Sequence, residues 1–190
     1  YSSAASDVYK RQLFEYGSIR AANMVQEGKL DLALVNMHFY EIDKLNSFTV
    51  MNDKIVFCVS KSHPLAKCHE VTIEMIKNEP LIMYNTDSVQ NETLDTAFKR
   101  AGVNPNVILH ASQLYTIRNF ICNNLGGAFL YSSLQKNLSG TTGIPISPVI
   151  NQNIGIVWKK GSYTTDSAEK FITYILSLIH ISEPTRLQLI

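Results

Sequence analysis

The residues of this 190-residue chain best suited to chemistry are short polar side chains placed where apolar runs begin or end: Ser18, Asn36, Asn85, Thr86, Ser112 and Gln113. Asn36 follows the run Leu30 to Val35, Asn85 and Thr86 follow Leu81 to Tyr84, and Ser112 and Gln113 follow Val107 to His110. Ser18 stands where the first amphipathic pattern starts. Hydroxyls and amides beside helix N-termini, which carry unpaired N–H groups and partial positive charge, suit a small anionic or polar ligand, typically a carboxylate. Taken singly, each of these residues also reads as a helix cap, because Ser, Thr and Asn are preferred there. The functional argument is their convergence beyond the carboxyl ends of strands, where ligands bind in open α/β sheets.

No catalytic constellation accompanies them. Asp31 is a lone carboxylate within its strand, and no Ser/His/Asp or Cys/His arrangement stands out. Gly126-Gly127 follows a helix pattern and precedes a strand, the reverse of the order a phosphate-cradling loop needs. Cys68-His69 with His63 nearby lacks a fourth ligand, so neither a metal nor a cofactor is expected. The three cysteines, Cys58, Cys68 and Cys122, are odd in number and irregularly spaced, which fits a reducing, cytoplasmic compartment. Cys58 and Cys122 have apolar neighbours and read as small core residues. Arg118 lies on the helix after Ser112, within reach of an anion, and reads more simply as a solvated surface arginine. The formal net charge of +1 offers no basic face for nucleic acid. Phe39, Tyr40, Phe48, Tyr115 and Tyr131 are scattered rather than spaced as a stacking platform. No apolar run reaches membrane-spanning length.

Three helices and six strands must position the polar residues. Ser18 precedes Ile19, Ala22 and Val25 with a stop at Gly28, and Ser88 precedes Leu94, Ala97 and Ala101 with a stop at Gly102. Ser112 precedes Leu114, Ile117, Ile121 and Leu125 with a stop at Gly126. These spacings place the apolar residues on one helical face. Strands are predicted at Leu30 to Val35, Ile55 to Val59, Leu81 to Tyr84, Val107 to His110, Ala128 to Tyr131 and Ile154 to Trp158. Their alternation with helices predicts an open, mostly parallel sheet covered on both faces. Ser60 to Lys67 and Leu134 to Pro148 read as crossing segments.

Several segments match one family in order. Glu27-Gly28-Lys29-Leu30-Asp31-Leu32-Ala33-Leu34-Val35 joins a helix stop to a buried strand, and Asp53 to Ala66 runs a strand into a His63-Pro64-Leu65-Ala66 turn. Glu79-Pro80-Leu81-Ile82, Phe98-Lys99-Arg100-Ala101-Gly102, Asn124-Leu125-Gly126-Gly127-Ala128 and Val157-Trp158-Lys159-Lys160 follow. Together they resemble the effector-binding domain of LysR-type transcriptional regulators, from Leu13 to Ile175. The resemblance implies an α/β, type-II periplasmic-binding-protein-like fold of two lobes joined by two crossing segments. Lobe I would comprise residues 13–58 and 138–175, and lobe II residues 59–137. A small effector would lie in the inter-lobe cleft, touching Ser18, Asn36, Asn85, Thr86, Ser112 and Gln113. Family members form homodimers or tetramers through this domain, and DNA would be bound only through an absent N-terminal winged helix-turn-helix. No membrane partner is implied. Two readings from other classes share the fold: a transport-associated solute-binding protein, and an enzyme, which the lack of a catalytic constellation disfavours.

The two ends read differently. Asp7-Val8-Tyr9-Lys10-Arg11-Gln12 can be encoded by a nucleotide element whose reverse complement encodes Leu176 to Ile181. Residues 1–12 and 176–190 are therefore expected to be translated sequencing-adapter-like scars outside the fold, with both natural termini missing. In the family's sheet order the first strand of lobe I would lie between a strand around Leu13 to Tyr16 and the strand Leu30 to Val35. Without that first strand and its helix, Leu30 to Val35 is expected to have an open edge.

Overall fold

A computed structural model describes residues 12–38, 42–86, 88–161 and 170–174, so the scar-like segments lie outside the described residues apart from Gln12. The elements are α1 (Ser18–Gln26), β1 (Leu32–Asn36), β2 (Leu45–Ser60), β3 (Leu81–Met83), α2 (Val89–Ala101), β4 (Val107–His110), α3 (Leu114–Cys122), β5 (Gly127–Tyr131), α4 (Ser132–Gln135), β6 (Thr141–Pro145) and β7 (Asn151–Lys159). Each of the three helices and six strands read from the patterning has a counterpart, and β6 and α4 are additional.

Strand β2 is shared by two half-sheets. Its first part, Leu45 to Lys54, pairs with β7, which pairs in turn with β1. Its second part, from Ile55, pairs with β5 and β6, and β5 continues through β3 to β4. The partner change therefore falls between Lys54 and Ile55, not in the predicted crossing Ser60 to Lys67. Ser60 ends β2, and Pro64–Lys67 is a 3-10 turn capped by His63, whose Nδ1 accepts from the Leu65 N–H at 3.2 Å. Glu79 holds the other ring nitrogen of His63 at 3.3 Å. Pro64 and the local polarity mark a turn faithfully, but a crossing made inside a continuous strand leaves no turn signal. The return lies between β6 and β7, at the end of the second predicted crossing.

The expected mostly parallel sheet is also corrected. Among the named strands only the pairings of β3 with β4 and with β5 are parallel, while the pairs among β1, β2, β5, β6 and β7 are antiparallel. Apolar patterning reports which faces are buried, and strand direction is set by connections it does not encode.

Burial explains the apolar runs. Ile55, Phe57 and Val59 enter one core with Leu81, Met83, Leu94, Phe98 and Phe129. Val56 and Cys58, pointing the other way, enter a second with Ile82, Ile117, Ile121, Ala128 and Leu130. With α2 covering one face and α3 the other, this part of β2 has no polar face to show. The Phe129 ring lies 5.3 Å from Phe57 and 5.9 Å, edge-on, from Phe98. In the first half-sheet, α1 sets Ala21, Ala22 and Val25 against Ala33, Val35, Leu45 and Val157, and Val89 from α2 joins them. Among the described residues, strand β1 has a ladder partner on one side only. The expected strand around Leu13 to Tyr16 does not form: Leu13 is 94% exposed, and Phe14 stacks on Tyr16 at 6.0 Å instead. No described strand lies beside it to complete a ladder.

Two of the three helix stops fall where predicted, with Gly28 and Gly102 at φ values of 76° and 65°. The third does not. Helix α3 ends at Cys122, and Asn124 takes the left-handed position at φ 57° while the Leu125 N–H returns to the Phe120 carbonyl. Gly126 is small for another reason: a Cβ there would stand 2.7 Å from the Pro80 carbonyl oxygen. We therefore expect Gly126→Ala to lower stability by about 1–3 kcal/mol in denaturant melts, and an unchanged midpoint would show that the Pro80 strand yields freely. Cys58 is wholly buried, and burial pushes its thiol pKa far up, whereas Cys68 and Cys122 are partly exposed. In folded protein a thiol reagent should label Cys68 and Cys122 first and Cys58 only after denaturant is added. Equal labelling rates would contradict this packing.

Candidate functional site

Because β3, β4 and β5 run parallel, their carboxyl ends lie together, with Tyr84-Asn85-Thr86 after β3, Ala111-Ser112-Gln113 after β4, and Tyr131 ending β5 before Ser132-Ser133. The phenol of Tyr131 connects this group to the end of β1. Asn36 Nδ2 donates to the Tyr131 hydroxyl at 3.0 Å and, through its other hydrogen, to Gln152 Oε1. Asn36 Oδ1 accepts from the His38 N–H at 2.9 Å, and the Asn36 backbone N–H donates to Ser18 Oγ at 3.0 Å. Asn36 is 4% exposed, and both amide hydrogens are used inside the protein. In this arrangement it is a strut that holds other groups.

Ser18 and Ser112 do not cap helices as predicted. Ser18 is the first residue of α1, whose N-cap, Gly17, makes no side-chain hydrogen bond. Ser112 precedes the N-cap of α3, Gln113, which likewise makes none. Both helices thus open with first-turn N–H groups that no cap side chain covers. Ser88 behaves differently, accepting from the Asn91 N–H at 3.1 Å to cap α2. Asn85, Thr86, Ser112 and Gln113 are exposed, and among the described residues their side chains join none of the hydrogen bonds that tie Ser18 to Asn36. Arg118 donates to the Ser139 carbonyl and hydroxyl, each at 3.0 Å, so it is engaged in a structural tie.

Sequence reasoning missed Tyr84, Tyr131, Asp53, Ser133 and Gln152. Asp53 Oδ2 accepts from the Ser133 N–H at 3.3 Å and hydroxyl at 2.5 Å, and its Oδ1 accepts from the Lys54 N–H at 2.7 Å. Gln152, wholly buried, stands opposite Asp53 in the β2–β7 ladder and donates to the Asn151 carbonyl at 2.8 Å. Burial pushes the Tyr84 phenol up to about 12, helped by Tyr131 and Cys58. Burial also raises Tyr131, with Asp53 adding to the rise and the Asn36 hydrogen bond opposing it. Both phenols are consequently neutral near pH 7 and able to donate. The strand-end rule that selected Asn36 would have selected the two tyrosines. Gln152 gave no signal, because its burial arises only from the pairing of distant strands.

The first turn of α2 lies at the meeting of the halves. Val89, Gln90 and Asn91 are all buried, although consecutive residues point in different directions around a helix. Val89 packs with the first half-sheet's core, while Gln90 Nε2 donates to the Phe129 carbonyl at 2.7 Å. Asn91 Nδ2 reaches Asp95 at 3.2 Å, and its Oδ1 has no hydrogen-bond partner. Among the described residues no cluster of three or more His, Cys, Asp or Glu could hold a metal ion, and no helix is long and apolar enough to cross a membrane.

Comparison with known proteins agrees with this architecture. The HTH-type transcriptional regulator YwbI of Bacillus subtilis is 30% identical over 171 residues, covering 88% of this chain and 56% of YwbI. A second Bacillus subtilis HTH-type regulator, YybE, is 28% identical over 90% of this chain and 58% of its own length. The chain thus spans little more than half the length of these relatives. Among solved structures, the regulatory domain of CcmR from Synechocystis PCC6803 in complex with 2-PG superposes with a TM-score of 0.77 at 20% identity, covering 86% of this chain and 80% of that one. The effector-binding domain of BenM with its effector benzoate gives 0.72 at 14% identity, over 93% and 81% of the two chains. The fold is therefore the two-lobed, periplasmic-binding-protein-like α/β fold of these domains, and each half-sheet above corresponds to one lobe. Residues 10–179 match the LysR substrate binding domain, and the chain belongs to that family.

Proposed function

We propose that this chain is the ligand-sensing domain of a bacterial transcriptional regulator. A small carboxylate or similarly polar molecule binds between the lobes, and the lobe angle it favours controls a winged helix-turn-helix elsewhere in the full-length protein. The observation that carries this reading is the pair of uncapped helix starts at α1 and α3, each beside a serine hydroxyl that caps nothing. Ser18, Ser112, Gln113, Asn85 and Thr86 supply contacts, with Asn36 holding Ser18 and Tyr131 in place. The benzoate of BenM and the shikimate bound to the effector domain of QuiR are both carboxylates, which supports the same ligand class here. The chain acts by binding rather than catalysis, in the cytoplasm, and the full-length protein assembles as a dimer or tetramer that meets DNA through its other domain.

A thermal-shift screen of small carboxylates, benzoate and shikimate included, should find compounds that raise the melting temperature, with matched carboxamides inactive. A screen in which acids and amides behave alike would remove the anion reading. Ser112→Ala should leave stability within about 0.5 kcal/mol because no cap is lost, while weakening the best carboxylate severalfold. Ser88→Ala, by contrast, should cost about 1 kcal/mol in denaturant melts. Equal losses from the two serines would return Ser112 to a capping role.

A further inference from the structure

Building on the ligand-sensing reading, we propose that Tyr131 is the residue through which a bound anion is coupled to the junction of the lobes. Its phenol donates to a ligand oxyanion while Asn36, itself held by Gln152, keeps the hydroxyl oxygen in position.

The two crossing strands lie side by side with Asp53 opposite Gln152. From Gln152 the hydrogen bonds run to Asn36 and on to Tyr131. Two residues beyond Tyr131, Ser133 donates twice to Asp53. The circuit closes there. It contains one residue of lobe I, two of lobe II and one from each crossing strand, so a change in lobe angle must strain or break it.

The direction of the Tyr131 hydrogen bond is what assigns the ligand contact. A phenol has one proton to give, and Tyr131 receives the Asn36 bond on its oxygen, so its own proton remains available. Among the described residues none accepts it. Asp53 is near enough to act on the phenol electrostatically, yet the bonds its two oxygens make are to Ser133 and Lys54. The Ser18 hydroxyl is in the same condition, accepting from the Asn36 N–H and keeping its proton. Both unused protons flank Asn36, beside the uncapped start of α1. This cluster of donors calls for an oxygen acceptor, and an oxyanion satisfies it best.

The test is a titration with benzoate, shikimate or inorganic phosphate, followed by NMR on protein carrying ring-labelled tyrosine. At least one of these anions should shift the Tyr131 ring-carbon resonance saturably, and Tyr131→Phe should bind that anion at least about tenfold more weakly. An anion that perturbs the Ser112 and Gln113 amides with equal affinity in both proteins would overturn the role of Tyr131 and leave the ligand-sensing reading intact. Failure of every probe to bind the unsubstituted protein would count against both. Should Tyr131→Phe not fold, the resonance in the unsubstituted protein decides alone: a saturable shift supports the contact, and none overturns it. Gln152→Met keeps the volume and removes the acceptor for Asn36, so it should move the Tyr131 resonance before any anion is added. An unmoved resonance would remove Gln152 from the positioning role.

Discussion

The antiparallel ladder between β2 and β7 is the interaction on which the rest of the structure depends. Leu45 to Lys54 faces Asn151 to Lys159 over the whole of β7, and this ladder is both the centre of lobe I and its attachment to lobe II. A strand that belongs to two sheets cannot be loose in either. Lobe II anchors its end of β2 through residues buried on both faces, and lobe I anchors the other end beneath α1. The join between the lobes at Asp53 and Gln152 is therefore a hydrogen-bonded ribbon rather than a slack linker.

That constraint also explains the chemistry of the cleft. Polar groups buried or half-buried at a junction must be satisfied by one another, and here Asn36, Gln152, Asp53 and Ser133 do so across four separate parts of the chain. With those demands met internally, the donors that the proposed reading assigns to a ligand are the ones left over: serine and tyrosine protons and the first N–H groups of α1 and α3. Under that proposal, neutral donors around an anion avoid the large desolvation cost of a buried arginine or lysine and leave selectivity to geometry.

Much of this was legible from local sequence. The left-handed stops at Gly28 and Gly102, the Ser88 cap and the buried strand at Ile55 to Val59 all follow from short-range rules that the structure obeys. The order of matching segments, not any single one, identified the family. What local rules could not supply was anything decided by pairing over long separations. The direction of β2 against β7, the partner change at Lys54 and the burial of Gln152 are of that kind. Gly126 shows the same limit in miniature, since it resembles a helix stop in sequence and is small because the Pro80 carbonyl approaches it.

The first turn of α2 carries a penalty beside its gain. Val89 adds apolar contact with lobe I, while the nearby Asn91 Oδ1 is buried without a hydrogen bond, a deficit of about 1–3 kcal/mol. The docking of that turn is accordingly held by less than its apolar contact alone would provide. Relieving the unmet hydrogen bond while keeping the bulk of the side chain would therefore tighten the packing of this turn without adding any apolar contact.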